Sequence, residues 1–329
     1  MQIRQQRLPG VALNVRRAGA GDREAMFTSF KPLFGDWDYL PRVIDDWLRP
    51  TASVLTWLAF GGPAGSALVA MTQAEELEPG DWYLRGLRSN PQAHPHMVAA
   101  AILGLSRTIR DELKAGPVDT IRYGTLEDNR ESLRLARLFG FREHFRLAHW
   151  GYPLPQFIAA ADPVPASSAA TPSMLLEYFR QHPGLAQGCF FTWWDTRRLK
   201  AEHLARALDQ GLLSTVTSEG HDRNRGRPSS GDFGSCPEPV IEGAALFWHV
   251  PWQEFMVFSL MEGTDEALAA LYQAGVASAH RLGCKAIGLV HPSLAELHRR
   301  QALFDLDEHG GDTVQLMLRV SGPARMSGL

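Results

Sequence analysis

The sequence predicts an α/β protein in which one fold occurs twice in tandem. Strands and helices alternate in the same order in both halves, with corresponding elements roughly 170 residues apart. Residues 151–173, GYPLPQFIAAADPVPASSAATPS, separate the halves. The length of 329 residues suits two domains of roughly 150 residues, each with its own core. Pro153, Pro155, Pro163, Pro165 and Pro172 lie in the separating stretch. Proline fixes φ and lacks an amide donor, which predicts an extended Pro/Ala-rich linker over 152–172. The domains are then 1–151 and 173–329. Two unrelated α/β domains would show the same alternation by chance; the matching order and lengths favour duplication.

In the first half, residues 15–18 predict a short strand, and Gly21-Asp22 caps a helix from Arg23. The apolar run VLTWLAF, 54–60, predicts a buried strand, Gly61-Gly62-Pro63 a turn, and residues 66–73 and 82–87 two more strands. Val98, Ile102, Leu105, Ile109 and Leu113 recur near a 3.6-residue period, so a helix follows, stopped by Gly116-Pro117. Residues 118–123 predict a strand. Asp128 with Glu131 resembles a capping box opening a helix that ends at Gly140, and 145–150 predict a last strand.

The second half repeats this order. Residues 199–208 predict a helix and 212–217 a strand; 243–250 and 255–261 predict strands. Leu268, Leu271, Tyr272, Val276, Ala279 and Leu282 form one helix face, ended by Gly283. A strand at 285–290, a helix at 294–304 and a strand at 314–320 complete it. Residues 219–239 are polar and Gly-rich with a single large apolar residue, Phe233, which predicts a mobile loop. Its Arg223, Arg225 and Arg227 would suit a nucleic-acid arm, but Asp222, Asp232 and Glu238 dilute that charge.

Composition excludes several classes. The net charge of −3 argues against a dedicated nucleic-acid partner. No apolar run approaches the roughly 18 residues of a membrane span, and residues 1–15 lack the apolar stretch of a secretory signal. Cys189, Cys236 and Cys284 are far apart with no CxxC pair, which suggests a reducing, cytoplasmic setting and no zinc or disulfide framework. A homodimer stays open.

Residues 124–141, GTLEDNRESLRLARLFGF, resemble the end of a GNAT-superfamily acyltransferase domain, where an Asn precedes a helix that closes on Gly-Phe; Asn129, Gly140 and Phe141 match. Val15-Arg16-Arg17-Ala18 followed by Asp22 resembles the superfamily's first strand and helix start. Leu87-Arg88-Ser89-Asn90-Pro91 stands in the place of its central strand, before the cofactor loop. Asp38-Tyr39-Leu40-Pro41 with Trp47-Leu48, and Gly86-Leu87-Arg88, resemble the histidine N-acetyltransferase branch. The resemblance covers about residues 15–150; the second half follows only in element order.

The resemblance implies two GNAT-like domains, each a mixed, mostly antiparallel sheet flanked by helices. It implies acyl-CoA-dependent N-acylation of a small amine or amino acid by direct transfer in the first domain, with the second non-catalytic. Acetyl-CoA or another acyl-CoA is the implied co-substrate, with no metal. The cofactor candidates are Leu87, Arg88, Ser89, His94, His96, Met97, Val98, Ala99 and Asn129; the acceptor candidates are Asp38, Tyr39, Trp47 and Trp82. The acceptor segment also reads as a turn packed by aromatics. A loop running into a helix N-terminus offers N–H groups and a favourable dipole to a pyrophosphate, and the amide-rich pantetheine arm pairs like an added strand where a sheet splays.

The sequence departs from the family at several positions. Pro95 and Met97 stand at glycine positions of the cofactor loop; His94 and His96 are substitute donors. Ala136 stands where the superfamily commonly has a thiolate-assisting Tyr, and Arg85 where the branch has Glu. Glu75, Glu76, Glu78 and Asp81 are substitute bases, or else a solvated acidic turn. In the second half Glu262, Asp265 and Glu266 would repel a pyrophosphate and read as capping residues, so no CoA is expected there. The alternative function is a catalytically degenerate ligand-binding or protein-interaction module.

Other candidates have plainer readings. His94-Pro95-His96 lacks a carboxylate or Cys at ligand spacing and reads as a surface loop. His280, His291 and His298 read as satisfied or exposed histidines. Trp193, Trp194, Trp248, His249 and Trp252 line a cleft or fill a core, and Cys189 and Cys284 read as small buried hydrophobes.

Overall fold

The computed structural model describes residues 4–8, 11–30, 38–49, 51–62, 66–113, 116, 118–143, 145–155, 170–182, 184–185, 188–192, 195–218, 240–306 and 313–321. The expected loop at 219–239, most of the expected linker, and Trp193, Trp194 and Cys236 lie outside them. By packing, the chain divides into two compact units, residues 1–144 with 316–329, and residues 145–315.

The first unit runs β1 (Arg4–Leu8), β2 (Val11–Arg17), α1 (Arg23–Ser29), α2 (Leu40–Trp47), β3 (Val54–Gly61), β4 (Ala67–Glu78), β5 (Asp81–Ser89), α3 (Pro95–Leu113), β6 (Thr120–Leu126) and α4 (Arg130–Leu138). The strands lie side by side in chain order. All pairings up to β4–β5 are antiparallel, and β5–β6 is parallel. The apolar run in β3 is continuous because both faces of this central strand are covered. Trp57 and Ala59 face the α3 side with Ala101, Leu105 and Ile109; Leu58 and Phe60 face Met26, Leu40 and Ile44 of α1 and α2.

Three local details differ from expectation. Leu40–Trp47 forms a helix where the plainer reading is a turn: the Asp38 carboxylate accepts the Leu40 N–H (2.9 Å), and Pro41 sits in the first turn, where no amide donor is needed. The cap of α4 is Asn129, not Asp128; its Oδ1 accepts the Ser132 N–H (3.1 Å). Strand β1, polar and short, carried no apolar signal. As expected, α4 closes on Gly140 at φ 79°, with Gly140 N–H on Arg137 O and Phe141 N–H on Ala136 O, each 3.0 Å.

The second unit runs β7 (Leu147–Pro153), α5 (Pro172–Arg180), β8 (Cys189–Phe191), β9 (Thr196–Arg198), α6 (Ala201–Asp209), β10 (Leu213–Ser218), β11 (Val240–Val250), β12 (Phe255–Gly263), α7 (Asp265–Arg281), β13 (Ala286–His291), α8 (Leu294–Leu303) and β14 (Thr313–Ser321). Its strand order is β10-β11-β12-β13-β7, and only β12–β13 is parallel. Thr313 and Val314 pair with Ala148 and Leu147 of β7. From Leu316 onward β14 belongs to the first unit, where it lies next to β6. The sequence pattern ends the first domain after residue 151; by packing, β7 stands with the second unit. Phe247, Phe258, Leu268, Leu271 and Ile287 centre the second core. Each unit is thus a mixed, mostly antiparallel sheet flanked by helices. Among the described residues, no helix is long and apolar enough to cross a membrane.

Candidate functional site

Strands β5 and β6 pair from Asp81↔Thr120 to Leu84↔Tyr123, and then part. A bulge sets the point of departure. The β4–β5 register shifts between Met71↔Arg88 and Gln73↔Arg85, with Gly86 at φ 63° inside the shift. Only glycine takes this conformation without strain, and a Cβ there would also collide with the Trp47 ring. The sequence of Gly86 and the placement of α2 therefore fix where the sheet opens.

Against the last paired residues and the start of the parting, between α3 and α4, lies a cavity of about 210 Å3. Its walls are Leu84 and Leu87 of β5, Ile121 and Tyr123 of β6, Leu103, Ser106, Arg107 and Arg110 of α3, and Leu135, Ala136, Leu138 and Phe139 of α4. Tyr123 and Ser132 hydrogen-bond to each other in this wall. Burial pushes the Tyr123 phenol above its ordinary range, so it stays protonated at neutral pH.

The expected site residues fall in separate places. Leu87 lines the cavity. Arg88 is buried and forms a bidentate pair with Asp38 (Nη1–Oδ2 2.9 Å, Nη2–Oδ1 2.6 Å), both side chains 2% exposed, with Tyr39 under the guanidinium at 5.0 Å. Ser89 pairs with Ala70 at the end of β5. Asn129 caps α4 on the exposed side. Tyr39 and Trp47 meet edge to face at 5.7 Å in the cluster of α1 and α2, while Trp82 is buried apart on the α3 side.

The start of α3 is closed upon itself. Pro95 is its first residue and has no N–H; the His96 N–H donates to His94 Nδ1 (3.3 Å), and the Met97 and Val98 N–H groups donate to His94 O. His94 and His96 stack at 5.2 Å and are exposed, as is Ala99. Met97 and Val98 pack on the core, and a Cβ on Gly61 would strike the Met97 methyl. Three of the four carboxylates offered as bases are held by partners on or between β4, β5 and β6. Glu75 pairs with Arg85 (2.5 Å), Glu76 accepts the Gly80 N–H (2.8 Å), and Asp81 pairs with Arg122 (Nε–Oδ1 2.9 Å). None of them lines the cavity.

Sequence reasoning missed most of the wall. The signal was present: Leu103, Ser106, Arg107 and Arg110 follow i, i+3, i+4, i+7, a second stripe on α3 beside its core stripe. Among the described residues, no group of three or more His, Cys, Asp or Glu is placed to hold a metal.

The second unit parts its parallel pair at the corresponding place, beyond Phe258↔Leu289. Here charge fills the opening. Glu262, at the end of β12, meets Arg300 of α8 (3.2 Å) and His291 of β13 (3.6 Å), all buried. The Ser293 N–H donates to His291 Nδ1 (2.9 Å), which leaves the ring proton on Nε2, toward Glu262. Burial pushes the Glu262 carboxyl up, and His291 and Arg300 more than reverse it, so it lies below its ordinary value. Arg300 also holds Glu296 (2.8 Å), which holds Arg299. The cap of α7 is Thr264, whose Oγ1 accepts the Ala267 N–H (3.3 Å); Glu262 is not a capping residue.

No protein-family model matches the sequence, and no curated protein matches it. Solved structures do match its fold. The GCN5-related N-acetyltransferase of Sphaerobacter thermophilus superposes with a TM-score of 0.57 over 94% of this chain and 96% of its own, at 14% identity. A tandem GNAT protein from the clavulanic acid biosynthesis pathway superposes with a TM-score of 0.52 over 95% of this chain and 99% of its own, at 12% identity. The fold is that of tandem GNAT proteins. At such identities the likeness speaks to fold alone.

Proposed function

We propose that the first unit binds an acyl-CoA and transfers its acyl group to the nitrogen of a small amine or amino acid. The observation that carries this reading is the parted β5–β6 pair with a cavity beside it, flanked by α3 and α4. Unpaired strand edges suit the amides of pantetheine, and the cavity suits the group beyond them. In the transfer, the amine nitrogen bonds to the thioester carbonyl carbon, the C–S bond breaks, and the thiolate leaves with a proton. Of these carboxylates, Glu75 is proposed as base: it is half-buried and its pair with Arg85 engages one oxygen, whereas Asp81 is held by both. The resemblance of the Asp38–Pro41 and Gly86–Arg88 segments to the histidine N-acetyltransferase branch supports an amino acid as acceptor. On this reading the buried Arg88–Asp38 pair holds β5 to the start of α2.

A second reading is favoured by the start of α3, where the donors that would meet a pyrophosphate are taken by His94 and by helix bonds. On that reading the unit binds an acyl ligand without turnover. A thermal-shift titration with acetyl-CoA and longer acyl-CoAs tests both. At a hundredfold excess over Kd, binding stabilises by about 2.7 kcal/mol. No shift with any acyl-CoA overturns the enzyme reading; a shift without acylated amine among the products, by mass spectrometry, selects the second. In an active protein, Glu75→Gln lowers kcat if Glu75 is the base; an unchanged kcat removes it.

A further inference from the structure

We infer that the cavity takes a hydrocarbon chain of about six carbons, so that the preferred ligand carries a medium-chain acyl group rather than acetyl. This rests on the acyl-CoA reading of the first unit and specifies the acyl class. The argument is chemical. Four hydroxyls line the cavity, and each is turned into the protein: Thr72 Oγ1 donates to Arg85 O (3.3 Å), Ser106 Oγ to Ile102 O (2.8 Å), and Tyr123 and Ser132 bond to each other. A wall whose hydroxyls are each engaged with a protein partner offers an amide, a phosphate or a carboxylate less in return for its lost water. What it offers is the surface of Leu, Ile and Phe side chains.

The two cations of the wall stand on α3 beside Leu103 and Ser106: Arg107 is exposed, and Arg110 faces Asp111 at 3.5 Å, its buried Nε making no hydrogen bond among the described residues. Size also favours a chain over an acetyl group. About 210 Å3 exceeds the roughly 150 Å3 apolar cavity that accepts a benzene-sized hydrocarbon. Ala136 contributes to this room, since its methyl stands where a larger side chain from α4 would reach across.

Isothermal titration of the full chain with acetyl-, butanoyl-, hexanoyl- and octanoyl-CoA tests the inference. Burying a methylene favours binding by roughly threefold to fourfold, so hexanoyl-CoA is expected to bind at least tenfold more tightly than acetyl-CoA. Ala136→Phe, which fills the cavity, is expected to reduce that ratio toward one, and Leu103→Phe serves if the first variant does not fold. Equal or weaker binding of hexanoyl-CoA by the unaltered protein overturns the chain inference while leaving acyl-CoA binding in place. Binding of none of the four overturns both.

Discussion

Two clefts built on one plan have opposite contents. Strand β5 leaves β6 beyond Leu84, and β12 leaves β13 beyond Phe258, each after the same length of parallel pairing. Helix α4 is capped by Asn129 and α8 by Ser293, and the residue seven positions past each cap faces the opening. In the first unit it is Ala136, and a cavity results; in the second it is Arg300, which meets Glu262, and the opening is full. The penultimate strand residues differ in the same sense. Arg88 turns to Asp38 beside α2, and Glu262 turns to α8. The backbone parts its strands in both places, and the helix position facing the parting carries Ala136 in one unit and Arg300 in the other.

The comparison breaks most readily at its buried charges. Arg300→Ala leaves Glu262 desolvated without its guanidinium, and a loss of about 3–5 kcal/mol is expected in urea unfolding. Arg88→Ala strands Asp38 and is expected to cost the same order, although it opens no second cleft. A loss below 1 kcal/mol for Arg300→Ala would mean the second cleft is not closed by charge. Next comes the bulge. Gly86→Ala meets both a positive φ and the Trp47 ring, and about 2–3 kcal/mol of destabilisation is expected from thermal unfolding. A neutral outcome would show that the parting of β5 from β6 does not depend on this glycine.

The third effect is a dependence on pH in the second unit. Hydrogen bonding to Arg299, then to Arg300, holds the Glu296 carboxyl at about 2, against 4.5 ordinarily. A depressed carboxyl stabilises above its unfolded pKa and loses that contribution as pH falls. The second unit is therefore expected to lose about 1 kcal/mol, discounted for solvent screening, between pH 4.5 and 2. Glu296→Gln should flatten that part of the curve in acid titration followed by circular dichroism. The smallest effect tests the caps. Asn129→Ala should cost about 0.5–1 kcal/mol, and Ser293→Ala the same. If Asn129→Ala alone also weakens acyl-CoA binding, the two helix starts differ in role as well as sequence.

Much of this fold was legible in the sequence because its signals are local. VLTWLAF could only be a doubly covered strand, and the Gly140-Phe141 closure of α4 is written in two residues. What escaped depends on partners. The helix Leu40–Trp47 needs the Asp38 carboxylate on Leu40 N–H, and the aromatic cluster around it reads equally as a turn. Nothing in residues 147–153 says that their neighbour will be β13. Of the expected site residues, Leu87 stands in the cavity wall, while Asn129 caps α4 and Arg88 turns to Asp38. A cation beside an expected cofactor loop suggests a ligand contact, but a bulge re-aims the strand, and alternation across it no longer tells which face a residue takes.

The division of β14 gives the molecule a timetable. The first unit has all its helices and six of its strands by residue 138, yet the strand beside β6 begins its share at Leu316. At ribosomal rates of about 5–20 residues per second, the edge of β6 waits on the order of ten seconds for that neighbour. An open strand edge in a nascent chain invites wrong pairing. The amino-terminal unit is thus first to be made and last to be finished.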